Sequence, residues 1–454
     1  MKKLLTVLGS MTLIATVSAS VIACKTTDST ISETQLAQKV KNIWNDNFKD
    51  KITSAKNFSM VIEMIKDKLN NPKEKELITL SNQDESRNRP KKWEPNQKID
   101  IKVGEKSINL DFGEVKEGKK ATKYKDPNTG EIKTTDATDF SKIEGLKEVK
   151  EIIEIGYFEH TDDHDNNKIQ IRAIVMPENI EKVPDVLPKE VTSTRAMFNG
   201  TKEFNQDLSK WDTSNLESID EMFKWAHKFD QNLSKWDVSN VRIFDYAFYG
   251  TKAFDQDLSD WDVSNGQSMK RMFARSEKYN NGGKALTWNE KTKNVKDMST
   301  MFALNHVFNQ DISKWDVSNV TDMTQMFLQA KQFNQDLNNW NVGNVKKMRS
   351  MFRETEKFNK PLNKWDVSNV EDMGNMFMKT KEFDQDISMW NISKLNNIEA
   401  IFLDAEKFNQ NLSNWNTKHI KTYAGYHNGA KAWKEENKLK FNNTSSSTQA
   451  PKKK

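Results

Sequence analysis

Cysteine is almost missing from this sequence. Cys24 is the only one in 454 residues, so the chain can form no intrachain disulfide and no metal site built from several cysteines. An excess of one charge is missing too, because 70 Lys and Arg nearly balance 65 Asp and Glu, for a formal net charge of +5. This balance gives no support to a nucleic-acid-binding function.

Motifs for catalysis are missing as well. The sequence has no Gly-x-Ser-x-Gly nucleophile motif and no phosphate-binding loop, and its lone cysteine lies near the N-terminus. Four of its six histidines, His227, His306, His419 and His427, lie at unrelated positions of a repeat that begins at residue 197. We therefore expect no enzymatic activity, no cofactor and no metal site.

The first residues are typical of an export signal. Met1-Lys2-Lys3 is basic, and residues 4–19 are apolar and too short to be predicted as a permanent membrane span. The segment Val21-Ile22-Ala23-Cys24 that comes next resembles the lipobox of bacterial lipoproteins. The resemblance implies cleavage after residue 23, a diacylglyceryl group on Cys24, and a protein tethered to the extracellular face of the cell membrane. The alternative is a free thiol beside an ordinary cleavage site.

The residues after Cys24 are predicted to form a tether and two small folded segments. Residues 24–34 are polar, as in a flexible tether. Residues 35–95 contain two amphipathic helical patterns, beginning at Leu36 and Val61, and then a linker. Residues 96–174 are predicted to be a small β-containing domain, in which strands alternate across Gly104-Glu105 as a hairpin.

Two polar stretches of that domain are predicted to be loops. We expect residues 114–140 to form a mobile loop, since Asp126-Pro127-Asn128-Thr129-Gly130 is rich in turn formers. Residues 160–167 hold two His and three Asp between two apolar runs. They lack the glycine and terminal glutamate of a calcium-binding EF-hand loop, so a solvated hairpin turn is favoured over a cation site.

From residue 197 onward the sequence repeats itself about every 25 residues. Met-Phe pairs, or an equivalent apolar pair, mark each unit, and a tryptophan stands fourteen residues after the first residue of the pair, or sixteen at Trp288. The nine tryptophans are Trp211, Trp236, Trp261, Trp288, Trp315, Trp340, Trp365, Trp390 and Trp415. Such a column is typical of a buried core, and repeats of this length are typical of a solenoid.

One unit contains Leu233-Ser234-Lys235-Trp236-Asp237-Val238, which matches the strand spacing of a leucine-rich repeat, although Asn240 comes one place early. Residues 308–320 resemble the repeat of the BspA-like surface lipoproteins of mollicutes. The resemblance covers about residues 175–430. For these residues it implies a right-handed, leucine-rich-repeat-like solenoid of about nine coils. With the N-terminal helical and β-hairpin region that precedes it, the chain is predicted to be α+β. In each coil Trp236 and its equivalents are expected on a parallel strand, and the Met-Phe pair on a helical or 3₁₀ return side.

Residues 431–454 are predicted to be a cap on the last coil, helical over 430–441, followed by a disordered tail. The residue after each tryptophan is predicted to face outward. This column is a candidate binding face or cation-collecting face, unless neighbouring lysines such as Lys235 merely neutralise a solvated surface. The candidate face leaves out Asn289, which follows Trp288, and its members are Asp212, Asp237, Asp262, Asp316, Asn341, Asp366, Asn391 and Asn416.

Three functions remain open from the sequence. An anchored surface module for adhesion, binding a protein of a host or neighbouring cell, fits the extended repeat surface. A structural or antigenically variable coat protein fits units so alike that recombination changes their number. A solute-capturing lipoprotein would need a two-lobed cleft, which a solenoid does not provide.

Overall fold

The structure, a computed structural model, describes residues 31–92, 94–162 and 168–441. The predicted signal peptide, Cys24, most of the tether, the centre of the 160–167 turn and the predicted disordered tail lie outside the described residues. Those features therefore stay predictions from the sequence.

The two amphipathic patterns form helices α1 (Glu33–Asn47) and α2 (Phe58–Asp67). Helix α1 begins at a reciprocal cap in which the Ser32 hydroxyl and the Gln35 side chain each accept a backbone N–H of the other. The predicted linker contains a short helix α3 (Pro72–Glu76), strand β1 (Ile78–Leu80) and a 3₁₀ turn (Gln83–Glu85). The linker region is therefore folded.

The predicted hairpin is confirmed. Strands β2 (Lys98–Val103) and β3 (Lys106–Asp111) pair antiparallel across Gly104, whose φ of 62° suits glycine at this tight turn. Strand β1 pairs with the other edge of β2, giving the order β1-β2-β3. The helices pack on this sheet, and together they bury one hydrophobic core that runs from Leu36 to Val115.

The prediction of a mobile loop over residues 114–140 is wrong. Strands β4 (Thr122–Lys125) and β5 (Ile132–Thr135) form an antiparallel pair, which β6 (Ile152–Glu154) extends to the order β5-β4-β6; a 3₁₀ turn (Phe140–Lys142) follows β5. The turn residues are ordered because Asp126 Oδ1 accepts the N–H groups of Asn128 and Thr129, both at 2.9 Å. They close a hairpin here.

The apolar runs on either side of residues 163–167 form a third hairpin, made of β7 (Tyr157–Asp162) and β8 (Lys168–Ala173). From Tyr124 onward most of the buried apolar residues belong to the same hydrophobic core as the repeats. The helices and the β2–β3 hairpin thus share one hydrophobic core, and the later strands share a second core with the repeats. The domain boundaries at residues 95 and 174 remain predictions.

Successive repeats stack in register, but not through strands. Among the described residues after Ala173 there is no continuous strand; single parallel bridges join each repeat to the next, as Asp322 joins Lys347. The amides of residues 323, 325, 327 and 329 donate to the carbonyls of 347, 349, 351 and 353, at 2.8 to 2.9 Å. The hydrogen-bonded ladder therefore runs along the Met-Phe segment, which was predicted to be the return side.

The predicted strand through the tryptophan is wrong for a local reason. Trp236 ends a turn, since its amide donates to Leu233 O at 3.0 Å, and Asp237 begins another. The alternation of buried Trp236 and Val238 with exposed Lys235 and Asp237 is as predicted. It arises from two consecutive turns and imitates the period of a strand.

The ladder uses left-handed backbone at two positions per repeat, the residue before Met-Phe and the second residue after it. Gln325 and Gln329 have φ of 58° and 56°. Only a few of these positions hold glycine, although a left-handed conformation costs other residues about 1–2 kcal/mol. The interrepeat hydrogen bonds and the buried rings offset that strain.

Aromatic rings form the core of the array. The Phe of each Met-Phe pair stacks on its equivalent in the next repeat, at centroid distances of 5.6 to 5.8 Å from Phe198 to Phe402. Each tryptophan from 236 to 390 donates its indole N–H to a backbone carbonyl of the preceding repeat, at 2.8 to 3.2 Å. The predicted tryptophan column is buried, with at most 5% exposure.

The extra residues on each side of Trp288 form 3₁₀ turns, Asn281–Gly283 and Asn289–Thr292, so the core continues in phase. At the last repeat the predicted helical cap is wrong, because only Glu435–Asn437 is helical, as a 3₁₀ turn. Trp433 instead lies edge-on against Phe402 and Phe408, at centroid distances of 5.1 and 5.0 Å. Its ring covers the open end of the phenylalanine stack.

Candidate interaction surface

The structure places the predicted binding column at equivalent positions of successive repeats. Each of these Asp and Asn side chains begins a turn by accepting the backbone N–H of the residue two places on, at 2.9 to 3.3 Å. All are exposed except Asp316, which is half-buried. The outward orientation predicted from the sequence is therefore observed, and the column has a structural role.

That role explains why both Asp and Asn occur in the column. Both residues carry the Oδ1 acceptor that caps the turn, and the negative charge is not required for it. The hydroxyls of Ser214, Ser239 and Ser264, each two places after a column Asp, add a second hydrogen bond at 2.5 to 2.6 Å. Hydrogen bonds from Ser264 and Ser368 lower the pKa of Asp262 and Asp366, so these carboxylates are ionised at neutral pH.

A substitution at Asp366 separates the capping role from a role of the charge. Asp366→Asn should leave the free energy of unfolding nearly unchanged, because the amide oxygen keeps the contact with Ser368. Asp366→Ala should lower it by about 0.5–1 kcal/mol, since the turn loses its acceptor. Thermal unfolding followed by circular dichroism measures both. An equal loss in the two variants would show that the charge matters.

Other polar columns lock the register between repeats. The residue after the second aromatic ring of each unit accepts, through Oδ1, the equivalent backbone N–H of the next repeat, at 2.6 to 3.0 Å from Asn205 to Asn409. Asn240, which comes one place early for a leucine-rich repeat, donates its Nδ2 to Ser214 O of the preceding repeat at 2.9 Å. Its equivalents do the same, so the asparagine serves the stack.

The described residues contain no group of three or more His, Cys, Asp or Glu arranged to hold a metal ion. Ion pairs between repeats are frequent, for example Lys407 with Glu382 at 2.6 Å and Lys381 with Glu356 at 3.1 Å. Within the part of the chain that the structure describes, no helix is both long enough and apolar enough to cross a membrane.

Sequence reasoning missed a second candidate surface, on the ladder side of the first repeats. Trp225 is 37% exposed and lies perpendicular to Tyr249, at 5.0 Å between ring centroids. Tyr246 is next to Tyr249 at 5.5 Å, and the Lys224 ammonium lies 4.8 Å from the centre of the Tyr246 ring. We call Trp225, Tyr246 and Tyr249 the aromatic shelf.

The shelf borders a cleft of about 660 Å³ between the β7–β8 hairpin and the first two repeats. The cleft is lined by His160 and Arg172 from the hairpin and by Asn199, Glu221 and Trp225 from the repeats. Asn199 Nδ2 donates to Glu221 at 3.1 Å, which fixes both side chains. The signal for this surface in the sequence is that Trp225 stands outside the tryptophan column.

The profile of one protein family matches the repeats three times in tandem, over residues 175–288, 283–377 and 345–440. The family is described as Mycoplasma protein of unknown function, DUF285. Together the matches cover residues 175–440, which is 266 of the 454 residues. The chain belongs to the DUF285 family. These matches support a repeat protein of mollicute type, and the DUF285 repeats coincide with the stacked units. No curated protein and no solved structure matched the sequence.

Proposed function

We propose that this chain is a lipid-anchored cell-surface protein whose DUF285 repeats bind a protein on a host or neighbouring cell, as an adhesion module. The observation that carries the proposal is a contrast between columns. Buried positions keep the same residue type from repeat to repeat, whereas outward positions on the ladder side differ in nearly every repeat. A constant core with a variable surface is suited to recognition.

The finer assignment to the BspA-like leucine-rich-repeat lipoproteins, with a right-handed coil, is part of this proposal. In-register stacking of units of about 25 residues supports it. The absence of strands among the described repeats separates these units from a leucine-rich repeat with a continuous parallel sheet.

The anchor is proposed from the sequence around Cys24. Two acyl chains on one cysteine hold a protein stably at the bilayer surface, where a single chain binds reversibly. The tether and the first folded segments would then separate the repeats from the membrane. The proposal includes no catalysis, since the sequence has no nucleophile motif and no phosphate loop.

The alternative is a structural or antigenically variable coat protein without a specific ligand. Its support is the near identity of units such as Trp365-Asp366-Val367-Ser368-Asn369 and Trp236-Asp237-Val238-Ser239-Asn240. Repeats this similar permit changes of number without loss of the core.

Binding to cells separates the two. The full chain, purified in mild detergent and labelled, should bind cultured epithelial cells with saturation, and unlabelled chain should displace it. A passive coat protein would bind in proportion to its concentration, with no displacement, and that result would contradict the proposal.

A further inference from the structure

We propose that the cleft between the β7–β8 hairpin and the first two repeats binds a neutral carbohydrate, whose sugar ring stacks on Trp225. The inference rests on the proposed surface role and names the ligand class of one site within it. Three independent features of the cleft support the inference: Trp225 of the aromatic shelf, the glycines on either side of Trp225, and the balance of charge among the lining residues.

The repeats themselves show that the fold does not need an aromatic residue at position 225. Equivalent positions adopt the same left-handed backbone, with φ between 54° and 78°. They are occupied by Gly200, Gly250, Arg275, Leu304, Gln329, Glu354, Lys379, Asp404 and Gly429. Trp225 is the only aromatic residue in this column, and it lies at the cleft.

The glycines before and after Trp225 in this column leave room for the indole ring and for a ligand beside it. A Cβ atom at Gly250 would clash with Trp225 Cε3, so the indole rests directly on the backbone of the next repeat. A Cβ at Gly200, in the preceding repeat, would meet nothing closer than 4.0 Å, so the space before the ring stays open. Tyr249 holds the indole from the side, edge to face.

The charges lining the cleft cancel. Asp139, Glu178 and Glu221 are three carboxylates, and Lys142, Arg172 and Arg195 are three cations, His160 apart. Each of these carboxylates has a cationic partner: Asp139 pairs with Lys142 at 2.8 Å, Glu178 with Lys202 at 2.8 Å, and Glu221 with Lys224 at 2.9 Å. Arg195 pairs with Asp220 at 3.1 Å, and the Arg172 guanidinium donates to the Arg195 backbone carbonyl at 3.1 Å. Because every carboxylate that lines the cleft has a cationic partner and the lining charges sum to zero, the site favours a neutral ligand.

A neutral ligand for this cleft must combine a flat apolar face with many hydroxyl groups. The Trp225 ring can contact the apolar face of the ligand. Hydrogen-bond donors and acceptors for its hydroxyls come from the Asn199 amide and from the carboxylates and guanidinium groups that line the cleft. A pyranose has an apolar C–H face and a rim of hydroxyls, which matches both. The volume of about 660 Å³ has room for a short oligosaccharide.

The test uses the full chain in mild detergent and a series of immobilised oligosaccharides. The neutral probes are maltohexaose, cellohexaose, chitohexaose and poly-N-acetyllactosamine, and the charged probes are sialylated and sulfated lactosamines. At least one neutral probe should bind saturably, and the free sugar should displace it. Failure of all neutral probes, or binding of charged probes alone, would overturn the inference.

Trp225→Gln is the decisive variant, because Gln329 already occupies the same backbone conformation elsewhere in the array. It should weaken binding by roughly tenfold or more while thermal unfolding stays unchanged. Trp225→Tyr should keep most of the binding, because a flat ring remains. The matched control is Leu304→Gln, at the equivalent position away from the cleft, which should bind like the unaltered chain.

The same variants separate this inference from the proposed function. If Trp225→Gln binds the sugar as tightly as the unaltered chain, the cleft is not the site. If the unaltered chain binds cells saturably and Trp225→Gln binds them equally while no neutral sugar binds, the surface role stands and the carbohydrate site is wrong. If the chain binds neither cells nor sugars, both proposals fall.

Discussion

Phe327→Ala is expected to lower the free energy of unfolding by about 3–5 kcal/mol, the usual result of removing a fully buried phenylalanine ring. Phe327 has no solvent exposure and lies in the middle of the array. Its ring contacts Phe302 and Phe352 of the neighbouring repeats, at 5.8 and 5.6 Å, and Phe333 of its own repeat at 4.0 Å. The cavity would open between repeats, where few side chains can move to fill it.

The position of the destabilised repeats is a second test, beside the size of the loss in free energy of unfolding. Each repeat contacts mainly its neighbours, so hydrogen exchange should accelerate in the amides that join repeats near Phe327 before it does near Phe198. Urea unfolding measures the loss of stability. Met389→Ala is the matched control, because Met389 is 86% exposed and its loss should change stability by less than about 0.5 kcal/mol. An equal effect in both variants would contradict a continuous ring stack.

The sequence was sufficient to find this core. An apolar residue that recurs at the same phase of every unit can only face one side of a stack, so the sequence alone predicts that Phe327 and Trp340 are buried. The outward position of Asp366 and its equivalents follows from the same phase. The chain's repetition thus determines which side chains are buried, independently of the backbone that buries them.

The backbone itself was not predictable from the pattern. Lys235-Trp236-Asp237-Val238 alternates as a strand does, and nothing in it reveals that two turns produce the alternation. Positions with a left-handed backbone conformation are usually occupied by glycine, which makes them recognisable in a sequence, but here Gln325 and Gln329 adopt that conformation. The hydrogen bonds that impose it come from the next repeat, 24 residues away, as from Gln325 N to Arg349 O.

Of the two candidate surfaces, one was predictable from the sequence and the other was not. The turn-capping column was visible from its period, but its contact with the residue two places on needed the structure. The aromatic shelf was not predicted because its residues have no aromatic counterparts in the other repeats. Trp225 and Tyr249 matter because they do not recur, and a search for exceptions in outward columns would have found them.

Cys24→Ser is expected to release the chain from the membrane. Each buried methylene of an acyl chain contributes about 0.8 kcal/mol, so two chains provide an anchor that no exposed surface contact replaces. Cells producing the variant should show it in the aqueous phase after detergent phase separation, and it should incorporate no labelled palmitate. Thr27→Ser leaves the segment from Val21 to Cys24 intact and should behave like the unaltered chain.

The design must also separate a lost lipid from a retained signal segment, because blocked lipidation can prevent cleavage and leave the apolar residues 4–19 attached. Mass spectrometry of the N-terminal peptide makes the distinction. The unaltered chain should begin at a modified Cys24, and any membrane-bound fraction of the variant should still carry residues 1–23. A variant cleaved before residue 24, free of palmitate and still in the detergent phase would show that a different part of the chain holds it there.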